Sequence, residues 1–128
     1  MIPVRVYADS SVFGGCFDEE FQEPSERFFA GVRAGRFVLV TSPLVSQELT
    51  FAPDPVQALY DSLLEQMEIV PVTEEAESLQ QAYLQAGVVP ASAQMDALHV
   101  ALATVSGCAL IVSLELSPYR ALSTHGAI

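Results

Sequence analysis

The stretch Val4-Arg5-Val6-Tyr7-Ala8-Asp9 decides the fold class of this chain. All residues before Asp9 except Arg5 are apolar, which predicts a strand over residues 4–8 that is buried on both faces, as in a parallel sheet. Asp9 then stands at the carboxyl end of the strand, on the side of an α/β sheet where ligands bind. The stretch therefore predicts both an α/β fold and the edge of the sheet that carries function.

The remainder of the chain alternates helices with strands. After an expected loop over residues 10–21, a helix is predicted from its cap Ser25 to Ala34, where Gly35 stops it. The later predicted elements are, in order, a strand over 37–41, a helix capped by Ser42, a helix over 55–66, a strand over 68–72, a helix capped by Thr73 and ending near Gly87, a helix over 94–106 and a strand over 109–113. This order predicts a three-layer α/β/α sandwich with a mostly parallel central sheet.

Size and composition favour one folded domain over residues 1–128. Apolar residues make up 51% of the chain and charged residues 16%, which excludes a disordered chain. The apolar stretches are too short and too often interrupted for a membrane span, and residues 1–8 lack the architecture of a signal peptide, so a cytoplasmic location is expected. Cys16 and Cys108 have no metal-site spacing and are interpreted as two unlinked structural thiols.

The chain is strongly acidic, with a formal net charge of −11. It has no lysine, and its arginines stand only at positions 5, 27, 33, 36 and 120. Nucleic-acid binding usually requires a basic patch, because phosphate contacts supply much of the affinity. An RNA substrate would therefore be held mainly through a bound metal ion or with help from a basic partner. The alternative is that the acidity only keeps the protein in solution.

Three acidic residues could form a metal-dependent site. Asp9 precedes two serines and could bind a metal ion, although an aspartate here also commonly caps the next turn. Glu48 shares a predicted helix face with Leu44 and Val45, which turns it toward the core, although a solvent-facing glutamate is the commoner case. If the three carboxylates meet, they form a hard oxygen site suited to Mg²⁺ or Mn²⁺.

Asp96 gives the strongest of these signals. It begins the apolar segment Asp96-Ala97-Leu98-His99-Val100-Ala101-Leu102-Ala103. Burial of an unpaired carboxylate there would be costly, and its place near a helix start suits the helix dipole. His99 is three residues further and could share the face of Asp96. We interpret His99 as a packed, hydrogen-bonded residue and not as a metal ligand.

Together these segments resemble the PIN-domain family, and more narrowly the toxin-like (VapC-type) PIN proteins of type II toxin–antitoxin systems. The resemblance covers residues 4–113, and its last segment is the most specific. The matching segments are Val6-Tyr7-Ala8-Asp9-Ser10-Ser11-Val12-Phe13-Gly14-Gly15, Ser46-Gln47-Glu48-Leu49, Ala86-Gly87-Val88-Val89-Pro90 and Asp96-Ala97-Leu98-His99-Val100-Ala101-Leu102-Ala103.

The resemblance implies Mg²⁺- or Mn²⁺-dependent cleavage of RNA by metal-activated water. Carried over by position, Asp9 and Asp96 would be metal ligands, Glu48 would complete the catalytic acidic cluster, and Ser11 would lie near the metal. The resemblance also implies a basic or amphipathic antitoxin partner and a homodimer, and a basic partner would suit the acidic surface.

Residues 114–128 depart from the family pattern. Relatives continue into Trp-Asn-Phe-(Lys or Arg)-His-Ile-Val, whereas here Ser113 is followed by Leu114-Glu115-Leu116. Codons exist for residues 114–122 that, read from the second base, encode Trp-Asn-Phe-Arg-His-Ile-Val-Arg. We hypothesise a one-base shift near Ser113 that gives an atypical, truncated end. The alternative is a genuine variant in which Glu115 supplies a fourth acid. The gene sequence decides, because the hypothesis fails if no frame encodes Trp-Asn-Phe there.

Three functions follow from these patterns. The first is a divalent-metal-dependent endoribonuclease that is the toxin of a toxin–antitoxin pair. The second is a catalytically impaired PIN-fold binding protein, or a decayed gene product, with an intact acidic cluster. The third is a plain α/β interaction domain in which the acids are caps and surface charges. The first is preferred for the fold and its chemistry.

Overall fold

A computed structural model of the protein describes residues 2–114, within which a four-stranded sheet is surrounded by helices. The strands are β1 (Val4–Ala8), β2 (Phe37–Thr41), β3 (Met67–Ile69) and β4 (Leu110–Val112). The helices are α1 (Ser10–Gly15), α2 (Gln22–Arg33), α3 (Pro43–Glu48), α4 (Asp54–Ser62), α5 (Glu74–Gln85) and α6 (Gln94–Val105), with 3₁₀ turns at Leu49–Phe51, Leu64–Gln66 and Ala91–Ala93.

The sheet has the strand order β3-β2-β1-β4, and every neighbouring pair is parallel. β1 is therefore central, with Tyr7 opposite Val40 of β2 and Ile111 of β4. The last three residues of β1 are buried. Their sequence is apolar because a central parallel strand is covered by helices on both faces. The predicted parallel α/β architecture is confirmed.

Two helical layers cover the sheet. Val4 pairs with Phe37, so both side chains point to the same face, and Phe37 stacks on Phe28 of α2 with ring centroids 5.6 Å apart. Tyr7 points to the opposite face and meets His99 of α6. Helices α1 and α4 join α2 on the first face, because Phe13 of α1 packs against α2 and α4. Helix α5 packs on α6 and belongs to the second face.

Arg5 is the one charged residue within β1, and it lies half-buried. Its guanidinium donates to the carbonyl oxygen of Ser106, just past α6, and to the Glu68 carboxylate at 2.5 Å. Glu68 belongs to β3, so this ion pair reaches across β2. Arg5 therefore links β1, β3 and the end of α6 on one face of the sheet.

The structure corrects one predicted element and one predicted cap. The expected loop over 10–21 contains helix α1, because Asp9 caps it and Val12 and Phe13 are buried. The second helix begins at Gln22, so Ser25 is a buried residue within α2 and does not cap it. Ser42 does stand at the N-cap of α3, but its side chain makes no cap hydrogen bond.

Other sequence predictions hold. The Thr73 hydroxyl accepts a hydrogen bond from the Ala76 amide, as expected for a helix cap. Gly35, Gly87 and Gly107 all have positive φ just after helices, where glycine alone avoids strain. Cys16 and Cys108 are buried thiols. Within residues 2–114, no helix is long and apolar enough to cross a membrane.

Candidate metal and active site

Asp9 is held at the carboxyl end of β1 by residues of two other segments. Its backbone amide donates to the carbonyl oxygen of Val112 in β4 at 3.3 Å. Its Oδ1 accepts hydrogen bonds from the Ser11 amide at 3.1 Å and the Ser11 hydroxyl at 2.5 Å, and its Oδ2 accepts one from the Ser113 hydroxyl. Asp9 is only 4% exposed, so these donors compensate for the burial of its charge.

The sequence left two interpretations of Asp9 open, a metal ligand and a cap of the next turn. The bond from the Ser11 amide makes Asp9 the cap of α1. A carboxylate has about four lone-pair directions, and three hydrogen bonds from residues 2–114 leave one of them, on Oδ2, for a further partner. The capping role therefore does not use every acceptor direction of the Asp9 carboxylate.

Glu48 lies at the last position of α3 and turns toward α6. Its Oε1 accepts hydrogen bonds from the Ser10 hydroxyl at 2.9 Å and from Nε2 of His99 at 3.0 Å. The side chain of Glu48 is 32% exposed, whereas that of His99 is 2% exposed. Burial acts to raise the pKa of Glu48, but the bonds from His99 and Ser10, together with the charge that His99 carries when its ring is protonated, hold that pKa below its ordinary value.

Asp96 lies in the first turn of α6 and lines a cavity of about 360 Å³ together with residues 92–95. Burial raises the pKa of Asp96 above its ordinary value, and the nearby carboxylate of Asp9 raises it further. His99 acts in the opposite direction, and Glu48 raises the pKa again. Asp96 therefore senses the charges of both Asp9 and Glu48 from its place on α6.

The structure thus brings the three predicted carboxylates to one end of the sheet. Their oxygens are the hard ligands that Mg²⁺ and Mn²⁺ prefer, and a cation would relieve the repulsion felt by Asp96. Within residues 2–114, however, no three His, Cys, Asp or Glu side chains are close enough to hold a metal ion together. The donor chemistry therefore suits Mg²⁺ bound by two carboxylates, which keeps several waters, and not a closed protein cage.

The sequence-predicted supporting residues have different outcomes. Ser11 lies where it was expected, against Asp9, and its hydroxyl also accepts from the Leu114 amide at 2.9 Å. Glu115 lies outside the described residues, as does all of the proposed frameshifted segment beyond Leu114. Leu114 itself is half-buried and lines a cavity beside Gly15.

Three further residues, Tyr7, Ser42 and Ser113, reach the site without having been predicted to do so, and Ser10, one of the two serines after Asp9, bonds Glu48. Ser113 donates to Asp9, and Tyr7 and Ser42 form hydrogen bonds behind His99. The common signal is position: Ser42 and Ser113 each follow the last residue of a parallel strand, where functional side chains collect. His99 is a buried, hydrogen-bonded residue, which agrees with its interpretation from the sequence.

The four-stranded parallel sheet and the six helices of the described part of the chain form an α/β/α fold of the PIN-like class. No family model matches the sequence, and no curated protein matches it. Among solved structures, the chain is similar to one in the crystal structure of VapBC2 from Rickettsia felis bound to a DNA fragment from their promoter. The TM-score is 0.65 at 12% sequence identity, over 94% of this chain and 95% of that chain. At this identity, the likeness shows the fold alone.

Proposed function

We propose that the protein is a divalent-metal-dependent endoribonuclease and the toxin of a toxin–antitoxin pair. The observation that carries the proposal is that the three acid-bearing segments meet at His99. Nε2 of His99 bonds Glu48 and Nδ1 bonds Tyr7, two residues before Asp9, while Asp96 lies three residues before His99 on α6. The fold supports it further, since these residues lie where α/β sheets bind ligands.

Asp9 and Asp96 would hold the metal ion, Mg²⁺ or Mn²⁺. Asp9 has a lone-pair direction left on Oδ2, and Asp96 is a half-buried carboxylate whose ionised form lacks full compensation. The ion would supply an activated water molecule and would neutralise charge on the scissile phosphate. Two carboxylates suffice, because Mg²⁺ commonly completes its shell with water and substrate phosphate.

The chain's own residues hold this site in place. Ser11 and Ser113 fix both oxygens of Asp9, so its carboxylate cannot rotate freely. Glu48 stays ionised because its pKa is lowered, which makes it a weak proton acceptor. Its proposed role is therefore to add negative charge beside the cation and to orient water with Oε2, the oxygen to which neither Ser10 nor His99 donates.

The proposed partners follow from charge and from the similar structure. A chain with net charge −11 and no lysine would attract a basic or amphipathic antitoxin. The similar structure is described as VapBC2 bound to DNA from its promoter, which supports a toxin–antitoxin relationship. RNA would be held chiefly through the cation, a homodimer is the proposed assembly, and the cytoplasm is the proposed location.

One observation favours a second function, that of a PIN-fold binding protein without turnover. The described residues do not bring three potential ligands within reach of one ion. If a fourth acid is required for catalysis and the chain lacks it, the acidic end of the sheet would bind a cation or a basic partner without cleaving RNA. Binding of Mn²⁺ without any cleavage supports this alternative.

The test is cleavage of an unstructured RNA pool in Mg²⁺ or Mn²⁺, with EDTA as the reference. The proposal expects cation-dependent cleavage by the wild type and a loss of at least about 100-fold in Asp96→Asn, since that change removes a ligand. The matched control is Asp61→Asn, an exposed aspartate of α4, which should cleave like the wild type. Equal cleavage by Asp96→Asn and Asp61→Asn would contradict the proposal.

A further inference from the structure

A row of hydrogen bonds runs from the sheet to Glu48. The Ser42 hydroxyl lies 2.8 Å from the Tyr7 hydroxyl, which lies 2.7 Å from Nδ1 of His99, while Nε2 of His99 lies 3.0 Å from Oε1 of Glu48. Tyr7 and Ser42 are fully buried on β1 and after β2. The row therefore connects a partly exposed carboxylate to fully buried residues of the sheet.

The chemistry of the groups sets the direction of each bond. An ionised carboxylate only accepts hydrogen bonds, so Nε2 of His99 must carry the proton that lies toward Glu48. In the neutral ring, Nδ1 then accepts, and the only described polar group beside it is the Tyr7 hydroxyl, which must donate. The Tyr7 oxygen in turn accepts from Ser42. One ring tautomer thus satisfies every group in the row.

The geometry points to His99 as a positioning residue: anchored by Tyr7 and Ser42, it holds the Glu48 carboxylate against α6, the helix that carries Asp96. This inference rests on the proposed function for its effect on cleavage. Ser10 provides a second donor to the same oxygen, Oε1, so that Oε2 is directed away from both donors. Such supporting bonds keep a carboxylate in the orientation that a metal site requires, and their removal typically costs about 10- to 100-fold in activity or metal affinity.

The first test reads the ring tautomer of His99 by long-range ¹H–¹⁵N correlation in the wild-type protein. The chain has two histidines, so the His99 signals are assigned by their loss in His99→Gln. The inference expects a proton on Nε2. A neutral ring with its proton on Nδ1 would overturn it, because Nε2 would then present a lone pair to the Glu48 carboxylate. The tautomer itself is measured in the wild-type protein, and His99→Gln is used only to assign the signals.

The second test compares RNA cleavage by four variants. His99→Leu removes both bonds and should lower kcat by about 10- to 100-fold with KM nearly unchanged, because Glu48 and not RNA binding is disturbed. His99→Gln keeps an N–H that can reach Glu48 and should recover most of that loss. Tyr7→Phe should fall between them. Tyr83→Phe, on α5 and outside the row, is the matched control and should cleave like the wild type.

The outcomes separate this inference from the proposed function. If the wild type cleaves RNA and His99→Leu cleaves at the same rate, the proposed function stands and the positioning role is wrong. If the wild type cleaves no RNA, the proposed function fails, and Mn²⁺ affinity decides the inference: a loss in His99→Leu that His99→Gln restores supports it, and equal affinity overturns it. Should His99→Leu fail to fold, Tyr7→Phe and Ser42→Ala loosen His99 from its other side. Reduced RNA cleavage or Mn²⁺ affinity in these variants supports the inference, and values equal to those of the wild type overturn it.

Discussion

Among single residues, Asp96 has a charge that its surroundings in the folded protein disfavour. Its place in the first turn of α6 favours a negative charge, because the helix dipole is positive there. Burial and the charge of Asp9 nevertheless prevail and raise its pKa. The ionised form of Asp96 is thus disfavoured in the folded protein, which the proposed metal-binding role would explain.

This conclusion predicts a pH dependence of stability. A carboxyl group with a raised folded-state pKa weakens the fold as pH rises from its ordinary value of 3.8 through the raised value. Asp96→Asn should remove the loss of stability with rising pH that is due to Asp96. Without a divalent cation at pH 7, it should unfold at the same or slightly higher urea concentration, a gain below about 1 kcal/mol because solvent screens a half-exposed charge.

Urea unfolding between pH 4 and pH 7 checks this prediction, with Asp61→Asn as the control. Glu48 works in the opposite direction: its lowered pKa adds stability above its ordinary value of 4.5, which is lost as pH falls. The contribution of Asp96 is therefore the difference between Asp96→Asn and Asp61→Asn in how the free energy of unfolding changes with pH. Parallel profiles for Asp96→Asn and Asp61→Asn would show that Asp96 senses no neighbouring charge.

The sequence predicted the acidic residues of the site and the supporting hydroxyl of Ser11, but not the hydroxyls that follow the neighbouring strands. Asp9, Glu48 and Asp96 could be predicted because an acid within an apolar segment is chemically unusual. Ser113 and Ser42 could not, because serine is common after strands and its partner depends on the sheet order. Only the neighbouring positions of β1, β2 and β4 bring these hydroxyls to Asp9 and Tyr7.

At the scale of elements, α1 shows how tertiary packing prevails over local preference. Its sequence ends in two glycines, which predicts a loop, and a helix of six residues is marginal by itself. The cap from Asp9 and the burial of Phe13 against Phe29 and Tyr60 stabilise it in the fold. Thr73, by contrast, caps α5 through a local hydrogen bond that sequence alone predicts.

The two glycines of α1 predict opposite effects of the same substitution. An added Cβ at Gly15 would overlap the hydroxyl of Ser25 and a methyl group of Leu114, whereas at Gly14 it would meet nothing within 4 Å. Gly15→Ala should therefore destabilise the protein by about 1–3 kcal/mol through overpacking. Gly14→Ala should be neutral or stabilising by up to about 1 kcal/mol, because alanine favours the helix.

Urea unfolding of the two variants beside the wild type measures both effects. Because the substitutions are identical and adjacent, Gly14→Ala controls for the change in helix propensity. If the two variants have the same midpoint, α1 does not pack against Ser25 and Leu114 as described. The site provides a second readout, since movement of α1 would also displace Ser11 from Asp9.

At the scale of the whole molecule, the alternation of strands and helices was sufficient to predict the α/β class and the parallel sheet. The strand order β3-β2-β1-β4 was not predictable, because it depends on which helices pack on which face. The overall charge of −11 was evident from composition. Its consequence for function is that few cationic side chains are available to bind phosphate.

This acidity predicts a shallow salt dependence of RNA cleavage. A protein that binds RNA through many Lys and Arg side chains loses about 10³- to 10⁵-fold in affinity between 50 and 200 mM salt. Here KM at a fixed, saturating Mg²⁺ concentration should change by less than about tenfold over that range. Initial rates at several NaCl concentrations measure it, and a steep rise in KM would reveal a basic RNA-binding surface that the composition does not suggest.

The proposal on which the other conclusions depend is that Asp9 and Asp96 hold one divalent cation beside Glu48. Calorimetric titration of Mn²⁺ into the wild type, Asp96→Asn and Asp61→Asn tests it most directly, because it requires neither RNA nor turnover. The predicted result is a single saturable binding event in the wild type and Asp61→Asn that is lost in Asp96→Asn. Equal binding by all three proteins, or binding by none, would contradict the claim.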